Sequence, residues 1–210
     1  MMLEIPFYEN KGDGNQCMQV AMKMVLKHFL NKDISLEELD KLTGRGQGEW
    51  TYTSQIVPVL YDLGLEVKLY SKEALEPYLG GEPFIRKHFG ESADKVIKMS
   101  NISVMVKSVK KLLKYKLFEK RLLDFKEIEQ HIRKGHIPLV AIDHNVLVGV
   151  KGLYQGHFVA ITGFGEDSVY YHESGPANSQ PNKKVKKEIF IQAWNAPGTD
   201  NDVVIVFGKR

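Results

Sequence analysis

The chain has 210 residues, 43% of them hydrophobic and 26% charged, with a formal net charge of +3 and one cysteine. This composition can bury the core of one large globular domain and excludes a disordered or fibrous chain; the weak charge does not point to nucleic acid, and a lone cysteine excludes an intrachain disulfide framework. No run reaches the roughly 18 apolar residues of a membrane span, and Met1 to Asn10 lacks the apolar stretch of a signal peptide, so a cytoplasmic protein is expected.

Leu3 to Tyr8 reads as an extended lead-in, because Pro6 disfavours helix before it. Asp13-Gly14-Asn15 is turn chemistry. From Cys17 the apolar residues recur at helical spacing, with Val20, Ala21 and Met24 on one line and Met18, Met22, Val25 and Phe29 on another. That pattern predicts a central helix, covered on several sides, running to about Leu30. Ser35 followed by Glu38 has capping-box form and opens a helix to about Leu42. Thr43 to Trp50 is a glycine-rich loop without the Gly-Lys-Ser/Thr of a phosphate loop, and Trp50 is a candidate cleft wall. Ser54 to Leu63 is helical in pattern, with Pro58 interrupting it or sitting early in it, and Gly64 ends it. Leu65 to Tyr70 alternates as a strand does. Leu75 to Arg121 reads mostly as helix, and the basic run from Lys107 to Arg121 as a solvated face.

The composition shifts near Phe125, where a short helix is predicted to Lys134. Strand candidates then follow closely: Ile137–Ile142, Val146–Val150, His157–Thr162 and Ser168–Tyr171, with a hairpin turn at Gly165-Glu166-Asp167. Asn182 to Lys187 reads as a basic loop, Lys187 to Trp194 as a short helix, and Asp202 to Phe207 as a closing strand. The expected class is α+β in a single domain, with residues 1–124 mainly helical and residues 125–210 mainly antiparallel sheet.

A cysteine at a helix N-terminus lies at the positive end of the macrodipole, which favours a thiolate there. To act as a nucleophile it needs a base, a group that orients the base, and donors for an oxyanion. Of seven histidines, His28 reads as packing or surface, His88, His131 and His136 as solvated, and His144 as part of a turn. His157 differs: it begins an apolar strand, after a glycine that permits close approach. If the hairpin folds about Gly165, Glu173 returns to the level of His157 on the same face, whereas His172 faces the other way. His157, His172 and Glu173 lack the spacing of a metal site, so no metal and no cofactor is expected.

The ordered elements Pro6-Phe7-Tyr8, Cys17 opening a Met-rich helix, Lys134-Gly135-His136-Ile137-Pro138, Gly156-His157-Phe158-Val159 and Tyr170-Tyr171-His172-Glu173 resemble the C39-like peptidase group of the papain-like cysteine peptidase clan. The resemblance implies a papain-like α+β fold with a helical half carrying Cys17 packed on a sheet half carrying His157. It implies attack by Cys17 on a peptide or amide carbonyl, His157 as base, and Glu173 as its orienter in place of the family's more common Asp or Asn. The family's oxyanion-hole glutamine position is occupied by Lys11. Asn10, one residue earlier, is therefore the favoured donor, Gln16 is the other candidate, and the Cys17 backbone N–H is the second donor. Met18 replaces the family's glycine after the cysteine. The implied partner is a peptide or amide small-molecule substrate. The same site can run as an acyl or aminoacyl transferase, and a binding relative without catalysis would use the lysine-rich segments instead.

Overall fold

The computed structural model describes residues 1–210. Helices α1 (Cys17–Leu30), α2 (Leu36–Thr43) and α3 (Thr53–Asp62) are followed by strand β1 (Leu65–Ser71). Next come α4 (Glu82–Phe89), α5 (Ala93–Lys98), α6 (Ile102–Lys114), strand β2 (Phe118–Lys120) and α7 (Phe125–Arg133). Then follow β3 (Ile137–Asp143), α8 (His144–Val148), β4 (Gly156–Phe164), β5 (Ser168–Glu173), β6 (Gln180–Lys186), α9 (Lys187–Trp194) and β7 (Val203–Lys209).

All seven strands form one sheet in the order β2-β1-β7-β3-β4-β5-β6. Only β1 and β2 run parallel; the other neighbours are antiparallel. Alternate residues divide between the two faces, as strand geometry requires. Leu139, Phe158, Ala160, Val204 and Val206 join the core formed with α1, α2, α3 and α6. Val140, Ile142, Val159, Ile161, Val203 and Ile205 join a second core under α7, α8 and α9. The result is an α+β molecule with helices on both faces of a mixed sheet. Two strands come from residues 1–124, and β7 inserts between β1 and β3, so the sheet is not confined to residues 125–210.

Helix α1 is the central element. It buries Gln19, Val20, Ala21, Met22, Met24, Val25 and Leu26, and full burial of such an apolar side chain contributes about 1.5–3 kcal/mol. It ends at Asn31, whose left-handed conformation returns the backbone N–H to Leu26 and Lys27. Ser35 caps α2 by accepting from the Glu38 N–H, and α3 runs through Pro58 without breaking. On α6, Met105, Val109 and Leu112 face inward while its lysines line the outer side.

Two segments differ from expectation. Val146 to Val148 belongs to helix α8 and not to a strand: Asp143 accepts from the Asn145 N–H to start the turn, and Gly149 in the left-handed region ends it. Residues 180–186 form an exposed edge strand paired along β5, not a loop.

Candidate functional site

The N-terminal lead-in crosses the sheet and delivers the turn before α1. Its Leu3 N–H donates to Thr162 O, and the Asn10 N–H donates to Ser174 O at 2.7 Å. Met1 and Met2 press onto Gly163, where an added Cβ would sit 2.4 Å from the Met1 carbonyl oxygen, so only glycine fits that crossing. His172 serves this docking: its Nε2 donates to Ile5 O at 2.9 Å and its Nδ1 accepts from the Asn182 N–H at 3.1 Å. Both nitrogens are thereby occupied, on the face opposite Glu173.

The turn itself is clamped from the glycine-rich loop. Arg45, whose side chain is only 1% exposed, bonds both carboxylate oxygens of Asp13 at 2.6 and 2.5 Å and Asp40 Oδ2 at 2.9 Å. The Gly48 N–H donates to Asp13 Oδ2, and the Asn15 side-chain amide donates to Gly48 O. Gln16 Nε2 donates to Asp40 Oδ2 at 2.7 Å, so its amide is held on α2 and its other end lies against Gly12. No side chain caps the first turn of α1, which leaves its backbone N–H groups available at the half-buried Cys17.

His157 and Glu173 meet as the hairpin argument requires, with one refinement. A bulge at Ile161/Gly163 shifts the β4–β5 register so that Ala160 pairs with His172. Glu173 therefore reaches His157 diagonally on the same face, and not from directly opposite. His157 Nε2 donates to Glu173 Oε1 at 2.8 Å, and the Gly175 N–H donates to the same oxygen at 3.1 Å. Both side chains are buried, with 8% and 1% exposed. That leaves Nδ1 of His157 for Cys17.

Burial alone would keep the His157 ring neutral. The hydrogen bonds and charges of Cys17 and Glu173 outweigh it and push the imidazole up to about 10. Burial likewise opposes the Glu173 carboxylate, but its bond to His157 and the charge of that ring hold it below the usual carboxylate range. The Glu173 carboxylate and Cys17 thus both favour the protonated ring.

Asn10 is 4% exposed, and neither its Oδ1 nor its Nδ2 has a hydrogen-bond partner. It lines an open groove of about 370 Å³ with Glu9, Gly12, Ser174 and Pro176, between the lead-in and the residue after Glu173. Trp50 joins the backbone of Met99 and packs against the helical core. Tyr154 lies nearer the thiol. Its ring rests on Gly198, and burial, followed by the charges of Asp200, Asp202, Asp143 and Cys17, raises its phenol. Asp200, beside it, is pushed up to about 7 by burial and by Asp202 and Glu73. No group of three or more His, Cys, Asp or Glu side chains is arranged to hold a metal ion.

Two nearby groups escaped the sequence reading: His144 and Asp200. His144 Nε2 lies 3.8 Å from Glu173 Oε2. The Asp-His-Asn tripeptide carries a helix-start signal at Asp143 that would have moved His144 out of a turn.

A family model described as guanylylate cyclase matches residues 14–206. Among solved structures, a protein described as a C39-like peptidase from Bacillus anthracis is similar at 13% identity and a TM-score of 0.58, covering 99% of this chain and 96% of that one. The peptidase domain of Streptococcus ComA, a bifunctional ABC transporter of a quorum-sensing pathway, aligns at 12% identity and a TM-score of 0.50, with 98% of each chain covered. A double-glycine motif protease from an AMS/PCAT transporter, solved with a leader peptide, aligns at 14% identity and 0.51, covering 98% of this chain and 93% of that one. At these identities the shared property is the C39 peptidase-like fold. No helix is long and apolar enough to cross a membrane.

Proposed function

The chain belongs to the guanylylate cyclase family, and from its C39-like fold and the Cys17–His157–Glu173 arrangement we propose that it acts as a cysteine hydrolase on a peptide or amide bond. The observation that carries this reading is His157, buried with Nε2 on Glu173 at 2.8 Å. Cys17 Sγ attacks the substrate carbonyl carbon, and the carbonyl electron pair moves onto oxygen. His157 gives its Nδ1 proton to the departing amine as the carbon–nitrogen bond breaks, leaving a thioester on Cys17. A water then loses a proton to Nδ1 and attacks the thioester, releasing the carboxylic acid and restoring the thiolate–imidazolium pair. Glu173 stays ionised throughout and fixes ring and tautomer.

The oxyanion is assigned to the side-chain amide of Asn10 and the backbone N–H of Cys17. An amide left unpaired in a buried position costs about 1–3 kcal/mol, a cost that a functional role accounts for. Gln16 is set aside because its amide is committed to Asp40. Asn10→Ala is expected to lower kcat by about 10²–10³-fold with little change in KM, and Asn10→Gln to retain part of the activity; steady-state kinetics on the cleaved substrate decide it. A free thiol suits a reducing compartment, so the cytoplasm is the location proposed.

The test is alkylation of Cys17 by iodoacetamide across pH, with substrate assays alongside. Labelling is expected to be faster than that of a free thiol and to lose that advantage in His157→Ala. Amide cleavage should depend on Cys17. Formation of cyclic GMP from GTP that survives Cys17→Ala would overturn the hydrolase reading in favour of the chemistry in the family's name, and product capture by added amines in place of water would reassign the site to acyl transfer.

A further inference from the structure

The geometry points to His144 as a second histidine of this site, a positioning residue that steadies the outer oxygen of Glu173 while neutral and disarms the Cys17–His157 pair when protonated. The inference rests on the hydrolase reading above.

Glu173 has two oxygens and only one is occupied. Oε1 takes the His157 and Gly175 donors; Oε2 is buried with no hydrogen-bond partner. His144 Nε2 stands 3.8 Å from that oxygen, so a small side-chain rotation closes the contact. The His144 ring also meets the His157 ring edge-on, with centroids 5.3 Å apart and planes at 82°. The backbone at His144 is fixed: its N–H donates to Gln155 O at 2.8 Å, and Asp143 Oδ1 accepts from the Asn145 and Gln155 N–H groups. The ring nonetheless keeps a solvent-facing side, being 27% exposed. A titratable ring open to water thus touches both partners of the buried pair.

The charges around His144 come from four strands: Asp143 at the end of β3, His157 on β4, Glu173 on β5 and Lys183 on β6. Helix α9, packed on α8, buries only Phe190, Ala193 and Trp194. Burial, then His157 and Lys183, hold His144 below the usual histidine range, against the opposite pull of Glu173 and Asp143. His144 is therefore neutral when the pair is armed. In that state its N–H supplies the donor that Oε2 lacks, and the carboxylate cannot rotate away from His157. On acidification His144 takes one proton from solvent. Two cationic rings then share one carboxylate, the His157 imidazolium is destabilised, and its Nδ1 proton passes to the Cys17 thiolate. The nucleophile is lost as a neutral thiol, with one proton taken up in total.

The test is the rate of Cys17 alkylation by iodoacetamide in wild type, His144→Gln and His157→Ala, each checked for fold by circular dichroism. Wild type is expected to lose about tenfold in rate in a step below the ordinary histidine value of about 6.5. His144→Gln, which keeps a donor but cannot titrate there, is expected to lack that step. A rate that depends on His157 while the acid profile of His144→Gln superimposes on wild type overturns this inference and leaves the hydrolase reading standing. A rate indifferent to His157 removes the hydrolase reading itself. The histidine resonances followed by NMR give a second readout: in the His157→Ala background, where the repelling ring is absent, the His144 signal is expected to titrate lower when Glu173→Gln is added, and a signal unmoved by that change overturns the contact.

Discussion

Cys17→Ala is expected to abolish amide-bond cleavage, lowering kcat by about 10⁴-fold or more while leaving the fold intact. Cys17 is half-buried at the start of α1, packed against the edge of the core and not among the helix's fully buried residues, so the small change to Ala is tolerated. Loss of the sulfur removes the atom that forms the acyl-enzyme. The His157→Ala variant is expected to fall nearly as far, since an unpaired thiol lacks its proton shuttle. The double variant should be little worse than either single one, because groups that act as one unit do not contribute additively. Turnover of a pooled fluorogenic peptide or amide library by the four proteins measures this. Cleavage that persists in Cys17→Ala, or single losses that add in the double variant, would rule out a Cys17–His157 machine.

Arg45→Ala is expected to destabilise the protein by about 3 kcal/mol, a fall in Tm of about 6–12 °C for a chain of this size. The guanidinium is buried and holds Asp13 and Asp40 together; without it two carboxylates face each other with no cation between them. Arg45→Lys should recover only part of the loss, because an ammonium cannot reproduce the planar fork. The pH dependence has a definite sign. In the native protein burial opposes the Asp13 carboxylate, but Arg45 and the Asn15 and Gly48 N–H groups outweigh it and hold its pKa below the ordinary value, so its contribution is present above that value and is lost as pH falls. In Arg45→Ala both carboxyls rise, and their penalty is relieved on protonation. The stability gap between the two proteins therefore narrows on acidification. Thermal melts at neutral and mildly acidic pH check it, and a gap that widens would show that Arg45 is not the counter-ion of the turn. Because Asp13 sits in the turn that precedes Cys17, a loss of alkylation rate is expected to accompany the loss of stability.

The Cys17 helix and the His157–Glu173 bond were the features most legible from the sequence, for physical reasons. Cys17 opens a helix that is apolar almost all round, and such a helix has to be central. His157 and Glu173 flank a turn, and the two-residue period of a strand puts His172 and Glu173 on opposite faces; the register decides which of them meets His157. The one-residue bulge at Ile161/Gly163 is what brings Glu173 onto the His157 face: the register nearest the turn, continued unbroken, would have put His172 there. What local pattern does not encode was lost. Val146-Leu147-Val148 is a short apolar run, ambiguous between strand and helix, and the Asp143 cap and Gly149 stop decided for helix. That helix brings His144 to Glu173, so misreading three residues hid the second histidine. Strand β6 is paired on one side only and shows no apolar alternation, so its lysines read as a loop; pairing to β5 overrides its weak strand preference. Arg45 was hidden for another reason: its partners Asp13 and Asp40 are joined to it by the fold and by no sequence spacing.

The two ends of the sheet limit how a substrate can be held. One edge, β2, is three residues long. The other, β6, carries Pro181, which has no N–H to offer, and exposes Lys184 and Lys186 along its length. Short strands, proline and lysine are the devices that deny a sheet edge to another chain. Both edges thereby disfavour the addition of another strand. Under the proposed hydrolase function, the loops that carry Asn10, Tyr154 and Asp200 are the surfaces left to hold a substrate. On that reading, selectivity can change by substitution in those loops without disturbing the sheet that holds His157 and Glu173 in place.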